Sequence, residues 1–313
     1  MLMFFARRIG AGIVLLLVVT AGAYWMLSLT STQTARAILG GTASADQVAA
    51  KAAELGLDQP WITQYLNWLG QALHGNLGES FYTGEPVTAA LSNRVPVTLS
   101  IVIFALLIST VLSVVLGIAA AVRGGWVDKL VQTIAILGFA VPSLLIALGL
   151  IVELSLNLKL FPATGYTAFA TSPSKWLASI TLPAVSLAIG AIGATALQIR
   201  GSLLDVLSAD FVRTLRSRGL NERTLLFQHA LRNASPPALT VIALQFIAMV
   251  SGAVVIEKVF GLNGIGTLTN TAATQGDRPM VMGVVLVTGV LVVAVNLVLD
   301  LAYGWLNPKV RVS

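Results

Sequence analysis

The sequence predicts an all-α integral membrane protein with six transmembrane helices, and three observations carry that prediction. Hydrophobic residues make up 56% of the 313-residue chain and charged residues only 10%. Mean hydropathy is +0.87, whereas a soluble domain is about one-quarter charged. Six uncharged runs, 9–29, 97–121, 130–152, 180–199, 237–256 and 281–299, meet or nearly meet the roughly 20 residues a helix needs to cross the hydrocarbon core. Apolar residues surround these runs on all faces without period-two alternation, which favours helices over barrel strands.

Arg7 and Arg8 precede the first run and Ala35-Arg36-Ala37 follows it, the outline of a cleaved secretory signal. The run is longer than the roughly 7 to 15 apolar residues of such a signal, so it is expected to remain as the first transmembrane helix. The segment 30–95 is then the longest non-spanning part. Ser44 and Gln47 have capping-box spacing, an Ala-rich stretch follows, and Gly56 supplies a stop. Asp58 and Pro60 mark the start of a second helix, on which Trp61, Tyr65, Trp68, Leu69 and Ala72 recur at helical spacing. That aromatic face suits a headgroup zone or the docking of an external partner, and it suits equally well packing on other helices.

Within the spans, Pro142 and Pro183 predict kinks, and Gly190 and Gly193 with their alanine neighbours predict close helix packing. Gln132, Thr133, Thr195, Gln198, Thr240, Gln245, Ser251 and Asn296 are polar residues in apolar runs. They are candidates for a translocation path, with interhelical hydrogen bonding as the equally open alternative. Glu153, Glu257 and Asp300 fall at span edges, where water-accessible anchoring is expected.

The segment 201–236 is a polar island carrying Arg213, Arg216, Arg218, Arg223 and Arg232 with Asp205, Asp210, Glu222 and His229. Each charge near a bilayer centre costs about 2.5 to 3.5 kcal/mol, so the island must protrude into water. Leu203, Leu207, Phe211 and Leu215 recur every four residues and predict one helix with one apolar stripe. Gly219 is placed to end it in a left-handed turn, Asn221 to cap a second helix from Glu222 to about Asn233, and Pro236 and Pro237 to open the fifth span at its first turn.

Basic residues set the orientation. With the N-terminus cytoplasmic, the inner segments hold twelve of the nineteen: Arg7, Arg8, Arg123, Lys129, Arg200, the five island arginines, Lys309 and Arg311. This predicts a cytoplasmic island and a cytoplasmic C-terminus. Inward-facing basic loops also account for the net charge of +6 better than nucleic-acid binding does. Cysteine is absent, which excludes disulfides and thiolate metal sites. No G-x-x-x-x-G-K-[ST] phosphate loop, H-E-x-x-H zinc motif or G-x-S-x-G elbow occurs, so no catalytic, cofactor or metal site is predicted. Charge-free span centres and the lack of a convincing internal repeat weigh against the runner-up, an ion-coupled secondary transporter.

The string A-D-F-V-R-T-L-R-S-R-G-L-N-E-R-T-L-L-F-Q-H-A-L-R-N-A from Ala209 closely resembles the coupling-loop signature of the dipeptide, oligopeptide and nickel branch of ABC-importer permeases. Further segments agree with that family in order: L-G-L-D-Q-P from Leu55, G-N-L-G-E-S from Gly75, R-V-P-V-T-L from Arg94, V-P-S-L-L-I from Val141, L-F-P-A-T-G from Leu160, E-K-V-F-G-L-N-G-I-G from Glu257 and N-L-V-L-D-L-A-Y from Asn296. The resemblance implies a type I permease bundle and importer for peptides, with nickel chelates or haem-like cargo as alternatives. It implies a second homologous permease subunit, two ATPase subunits that bind ATP and Mg, and an external substrate-binding protein. By match, Asp210, Phe211, Arg213, Arg216, Gly219, Leu220 and Glu222 are its ATPase-coupling positions. The implied organisation is a helix and external segment over 1–93, a permease domain over 94–304 and a tail over 305–313. Three sites depart from common family patterns: Arg213-Thr214-Leu215 stands where Glu-Ala-Ala is usual, His229-Ala230-Leu231-Arg232 where other branches have Ile-x-Leu-Pro, and Gly276-Asp277-Arg278-Pro279 where Arg-Asp-Tyr-Pro is frequent.

Overall fold

A computed structural model describes residues 2–40 and 42–306. Lys309, Arg311 and most of the expected tail lie outside the described residues. Among the described residues, helices account for nearly all regular structure, with one isolated bridge between Glu79 and Pro86. Five helices among the described residues are long and apolar enough to cross a membrane, or six if one sharply bent pair counts as a span. The chain divides into two compact units, the first formed by residues up to Val97 with Asn263–Val293 and the second by Thr98–Leu262 with the chain from Ala294 onward.

The first unit holds α1 (Leu2–Ser28), α2 (Ser31–Leu39), α3 (Ala45–Glu54), α4 (Trp61–Leu73), the first turns of α5 (Val87–Arg123), α12 (Ile265–Gln275) and most of α13 (Arg278–Leu306). Helix α3 starts at the expected capping box: Ser44 Oγ accepts from Gln47 N at 3.3 Å, and Gln47 Oε1 accepts from Ser44 N at 2.9 Å. It ends at Gly56 with φ +65. Helix α4 begins one residue after Pro60, which sits at the N-cap, so Asp58 is not its cap. Its aromatic face packs inward. Tyr65 and Trp68 stack with ring centroids 6.1 Å apart, and Tyr24 of α1 meets Tyr65 edge-on at 5.8 Å. A second core gathers Leu77, Val87, Leu91, Ile265, Leu268 and Met280.

Where α12 gives way to α13, two adjacent charges are buried. Asp277 accepts from Ser80 Oγ at 2.5 Å and from Phe81 N at 3.2 Å. Arg278 donates to Gln64 Oε1 of α4 and to the Leu27 carbonyl of α1, and its guanidinium lies 5.5 Å from the Tyr24 ring centroid. Each charge thus has the polar partners that burial demands.

The second unit is organised around α8 (Pro173–Ser208), much of whose length is buried. A Cβ on Gly193 would lie 2.5 Å from the Ala135 carbonyl oxygen of α6 (Gly125–Ala140), and one on Gly117 of α5 would lie 2.9 Å from the Ala196 carbonyl oxygen. Only glycine allows such backbone approach, so the close packing expected at Gly193 is present. Gly190 is less constrained, its nearest contact being 3.8 Å away.

Four expectations are corrected in this unit, whereas the kink expected at Pro142 is present: α6 and the following α7 (Ser143–Leu150), with its π-helical continuation Ile151–Asn157, bend by 94°. Proline forces the residue before it out of the helical region, and Val141 is extended at φ −86, ψ 121. Pro183, by contrast, lies inside an unbroken α8. Pro236 and Pro237 also lie inside a helix, α11 (Leu231–Val259), rather than in its first turn. Pro236 leaves the Arg232 carbonyl without its usual N–H donor, and Ser235 Oγ donates to that oxygen at 2.9 Å. Glu257 is no water-facing anchor: it is 0% exposed, and its carboxylate accepts from Thr98 Oγ1 at 2.5 Å. The fourth correction concerns the island.

Candidate functional site

The single four-residue stripe across the island does not survive. Helix α8 ends at Ser208, and Ala209 is extended with ψ 149, so the phase of the next helix, α9 (Asp210–Ser217), is reset. Val212 rather than Phe211 now faces inward. Val212 joins Leu203, Leu225, Ala230, Ala234 and Ala121 of α5 in a buried cluster, with Leu207 and Leu215 packed against it. Phe211 is 42% exposed.

The turn after α9 is closed as expected. Gly219 has φ +78, its N–H bonds the Arg216 carbonyl at 2.9 Å, and the Leu220 N–H bonds the Leu215 carbonyl at 3.3 Å. This pair of bonds satisfies two of the carbonyls a helix end leaves open, and only glycine takes the positive φ without cost. Asn221 then caps α10 (Glu222–Thr224), its Oδ1 accepting from Arg223 N at 3.1 Å. The helix continues through a π-helical segment, Leu225–Ala230, directly into α11. The two arms are therefore α9 and a continuous element that runs from the turn into an apolar span.

Across the turn the Arg216 guanidinium grips Glu222 with two bonds, Nε to Oε1 at 2.7 Å and Nη2 to Oε2 at 3.2 Å. Donating these hydrogen bonds to the carboxylate raises the Arg216 pKa above its ordinary value. Arg213 reaches Asp210 at 3.4 Å, with both side chains largely exposed. The site is thus a stiff wedge: a buried apolar base, a hydrogen-bonded turn, and an exposed rim of Asp210, Phe211 and Arg213. Such a shape can transmit displacement through its base while its rim offers charge and an aromatic ring to a partner.

A second ion pair is not legible in the sequence, where its members figure only as charges to be counted. Arg200 of α8 donates to both carboxylate oxygens of Asp128 on α6, which also accepts from Gln132 Nε2 at 2.9 Å. A bidentate arginine fixes orientation as well as distance. It ties α6 to α8 just before the island begins.

The candidate path residues are dispersed in their bonding. Gln132 bonds Asp128, Gln198 Nε2 bonds Ser202 Oγ at 3.2 Å, and Ser251 Oγ bonds the Ile247 carbonyl at 3.2 Å, each within its own helix. Thr195 is buried, whereas Gln245 and Asn296 are half-buried. Among the described residues no hydrogen bond joins any two of these six.

Comparison with known proteins fixes the family. Residues 113–312 match the binding-protein-dependent transport system inner membrane component family, and residues 1–102 match the N-terminal family of the same membrane components. The chain is 38% identical over 306 residues to a putative peptide transport system permease protein of Brucella abortus, covering 97% of this chain and 98% of the relative. It is 36% identical to a probable peptide ABC transporter permease protein of Sinorhizobium fredii, with 97% and 98% covered. It is 32% identical to the glutathione transport system permease protein GsiC of Salmonella typhimurium, with 99% of each chain covered. The matches run the length of a multi-pass, all-helical chain, and the chain belongs to the family of binding-protein-dependent transport system inner membrane components, the permeases of ABC importers.

Proposed function

We propose that this chain is one permease subunit of an ATP-driven importer of short peptides and that its island is the surface on which a separate ATPase acts. The observation that carries the coupling reading is the wedge itself: Phe211 and Arg213 are exposed on a helix whose other face, through Val212, is locked into the cluster with α5 and α8. An aromatic ring beside charges on a rigid element suits insertion into a groove of a partner protein. In this reading Asp210, Phe211 and Arg213 meet the ATPase, while Arg216, Gly219, Leu220 and Glu222 hold the shape of the turn.

The energy source is then hydrolysis of ATP, with Mg, in partner ATPase chains. A second permease subunit completes the path and an external binding protein delivers cargo. The N-terminus and the island face the cytoplasm, as the excess of basic residues on that side supports. Peptide cargo is favoured over nickel chelates or haem-like compounds because the relatives cited above are named for peptide or glutathione transport.

The cysteine-free sequence makes the test direct. Phe211→Cys carrying a short photo-cross-linker, in a complex that still hydrolyses ATP, should join this chain to the ATPase subunit in inside-out vesicles. Adducts confined to lipid or to another permease chain would overturn the assignment.

A further inference from the structure

Helix α4 has three sides, and packing within its unit accounts for only one. Gln64, Tyr65, Trp68 and Leu69 turn toward α1 and its neighbours. Ile62, Leu66 and Leu73 are 53%, 57% and 80% exposed. At 3.6 residues per turn these three fall within about 40° of one another, beside Leu69, whereas the exposed polar residues Thr63, Asn67 and Gln71 occupy a separate arc of about 80°. No charged residue interrupts α4. A helix that sorts its exposed residues into an apolar arc and a polar arc is built for a boundary between two solvents.

The depth of α4 comes from its hydrogen bonds. Tyr65 Oη donates to the Leu17 carbonyl at 3.3 Å and lies 3.0 Å from Thr20 Oγ1. The α1 span runs from Arg7 to Ser28, so Leu17 stands near its middle. A rise of 1.5 Å per residue puts Leu17 about 17 Å below Ser28, within a hydrocarbon core about 30 Å thick. A tyrosine side chain is much shorter than 17 Å, so the α4 backbone at Tyr65 lies well below the end of α1. Val18 and Trp25 of α1 are 65% and 49% exposed between that depth and Ser28.

We propose that α4 is seated in the membrane, in the leaflet nearest Ser28, with Ile62, Leu66 and Leu73 among lipid acyl chains and Thr63, Asn67 and Gln71 toward headgroups and water. The occupant of the apolar arc is lipid because Ile62 and Leu66 flank Tyr65 at the depth where apolar side chains of α1, Val18 and Trp25, are also exposed. The inference goes beyond peptide transport and ATPase coupling, and requires only that α1 crosses the membrane.

Single cysteines at positions 62, 66, 73, 63, 67 and 71 can be introduced into the 313-residue, cysteine-free chain and labelled with bimane. The chain would be reconstituted with its copurifying subunits in phosphatidylcholine vesicles. Labels at Ile62→Cys, Leu66→Cys and Leu73→Cys should be quenched several-fold more by doxyl-labelled phosphatidylcholine than those at Thr63→Cys, Asn67→Cys and Gln71→Cys, and iodide should show the reverse order. Met26→Cys and Asp46→Cys serve as lipid and water references. Equal iodide quenching at all six positions would overturn the proposal. So would iodide access at the apolar three that is lost only when an external binding protein is added, because the arc would then be a protein dock. Unmutated chain gives an independent reading: photoactivatable lipids should label peptide 61–73, and adducts on α1 without adducts there would also refute the seating.

Discussion

Arg216 and Glu222 clasp each other across the Gly219 turn through two hydrogen bonds of 2.7 and 3.2 Å, yet both side chains remain substantially exposed. An exposed pair adds little to folding stability, because solvent screens it. Its value is geometric, since it fixes the angle between α9 and the element that leads into α11. Glu222→Gln should therefore leave the thermal midpoint of the complex nearly unchanged. It should lower the ATP-driven uptake obtained per ATP hydrolysed, and the Arg216→Glu, Glu222→Arg double exchange should recover part of that ratio. A large fall in melting temperature for Glu222→Gln would show that the pair serves folding instead.

Gly219 carries the stronger demand. Its φ is +78 and the space that a Cβ would occupy is open, so substitution is opposed by backbone strain rather than collision. A left-handed residue with a Cβ costs about 1 to 2 kcal/mol, and β-branching adds to that. Gly219→Val should assemble with its partners yet lose most uptake, whereas Gly219→Asn, which tolerates this conformation, should retain much more. Uptake assays beside blue-native gels separate the two effects, and equal uptake by Val and wild type would count against the turn as the coupling element.

How much of this is legible in the sequence differs by element for physical reasons. Caps and turns rest on local chemistry, so residue types alone place the Ser44 capping box, Gly56, Gly219 and Asn221 correctly. The stripe over 203–215 fails because periodicity assumes a continuous helix, and one extended residue at Ala209 rotates everything after it. Pro142 predicts a kink, but the size of the bend depends on Val141 and Pro142 both being extended, which composition does not reveal. Pro236 misleads in the opposite direction, since the Ser235 hydroxyl supplies the donor that its ring removes. Glu257 has the sequence position of an edge residue, and only the fold brings it to Thr98, distant along the chain. The short helices α2 and α12 start after Thr30 and Gly264 without a side-chain cap, so neither carries the start signal that announces α3.

The contact between Gly193 and Ala135 makes a sharp packing prediction. A Cβ at Gly193 would stand 2.5 Å from a backbone oxygen and 2.9 Å from a Cα, neither of which can swing aside as a side-chain tip would. Gly193→Ala should cost about 1 to 3 kcal/mol through forced separation of α6 and α8. Gly190→Ala, whose nearest contact is 3.8 Å, should be nearly neutral. Thermal melts of the two purified variants in one detergent provide the comparison, and similar midpoints for both would contradict the backbone contact.

Arg278, a buried charge at the start of α13, gives the last prediction. The residue is 3% exposed and its guanidinium ties α13 to two other elements of the unit, to α4 through Gln64 and to α1 through the Leu27 carbonyl and the Tyr24 ring. Hydrogen bonds to a charged group contribute about 1.5 to 3 kcal/mol each when their loss strands a buried partner. Arg278→Ala would leave Gln64 Oε1 without its donor, while the Leu27 carbonyl keeps the Thr30 N–H and hydroxyl but loses its tie to α13, so the join between α4, α1 and the start of α13 should loosen before the rest of the unit does. Limited proteolysis should then cut within 55–86 at protease levels that leave wild type intact. Arg278→Lys should protect only partly, because one ammonium cannot reproduce the planar fork that spans both acceptors. Wild-type resistance in Arg278→Ala would mean that aromatic packing of Tyr24, Tyr65 and Trp68 suffices to hold α4 in place.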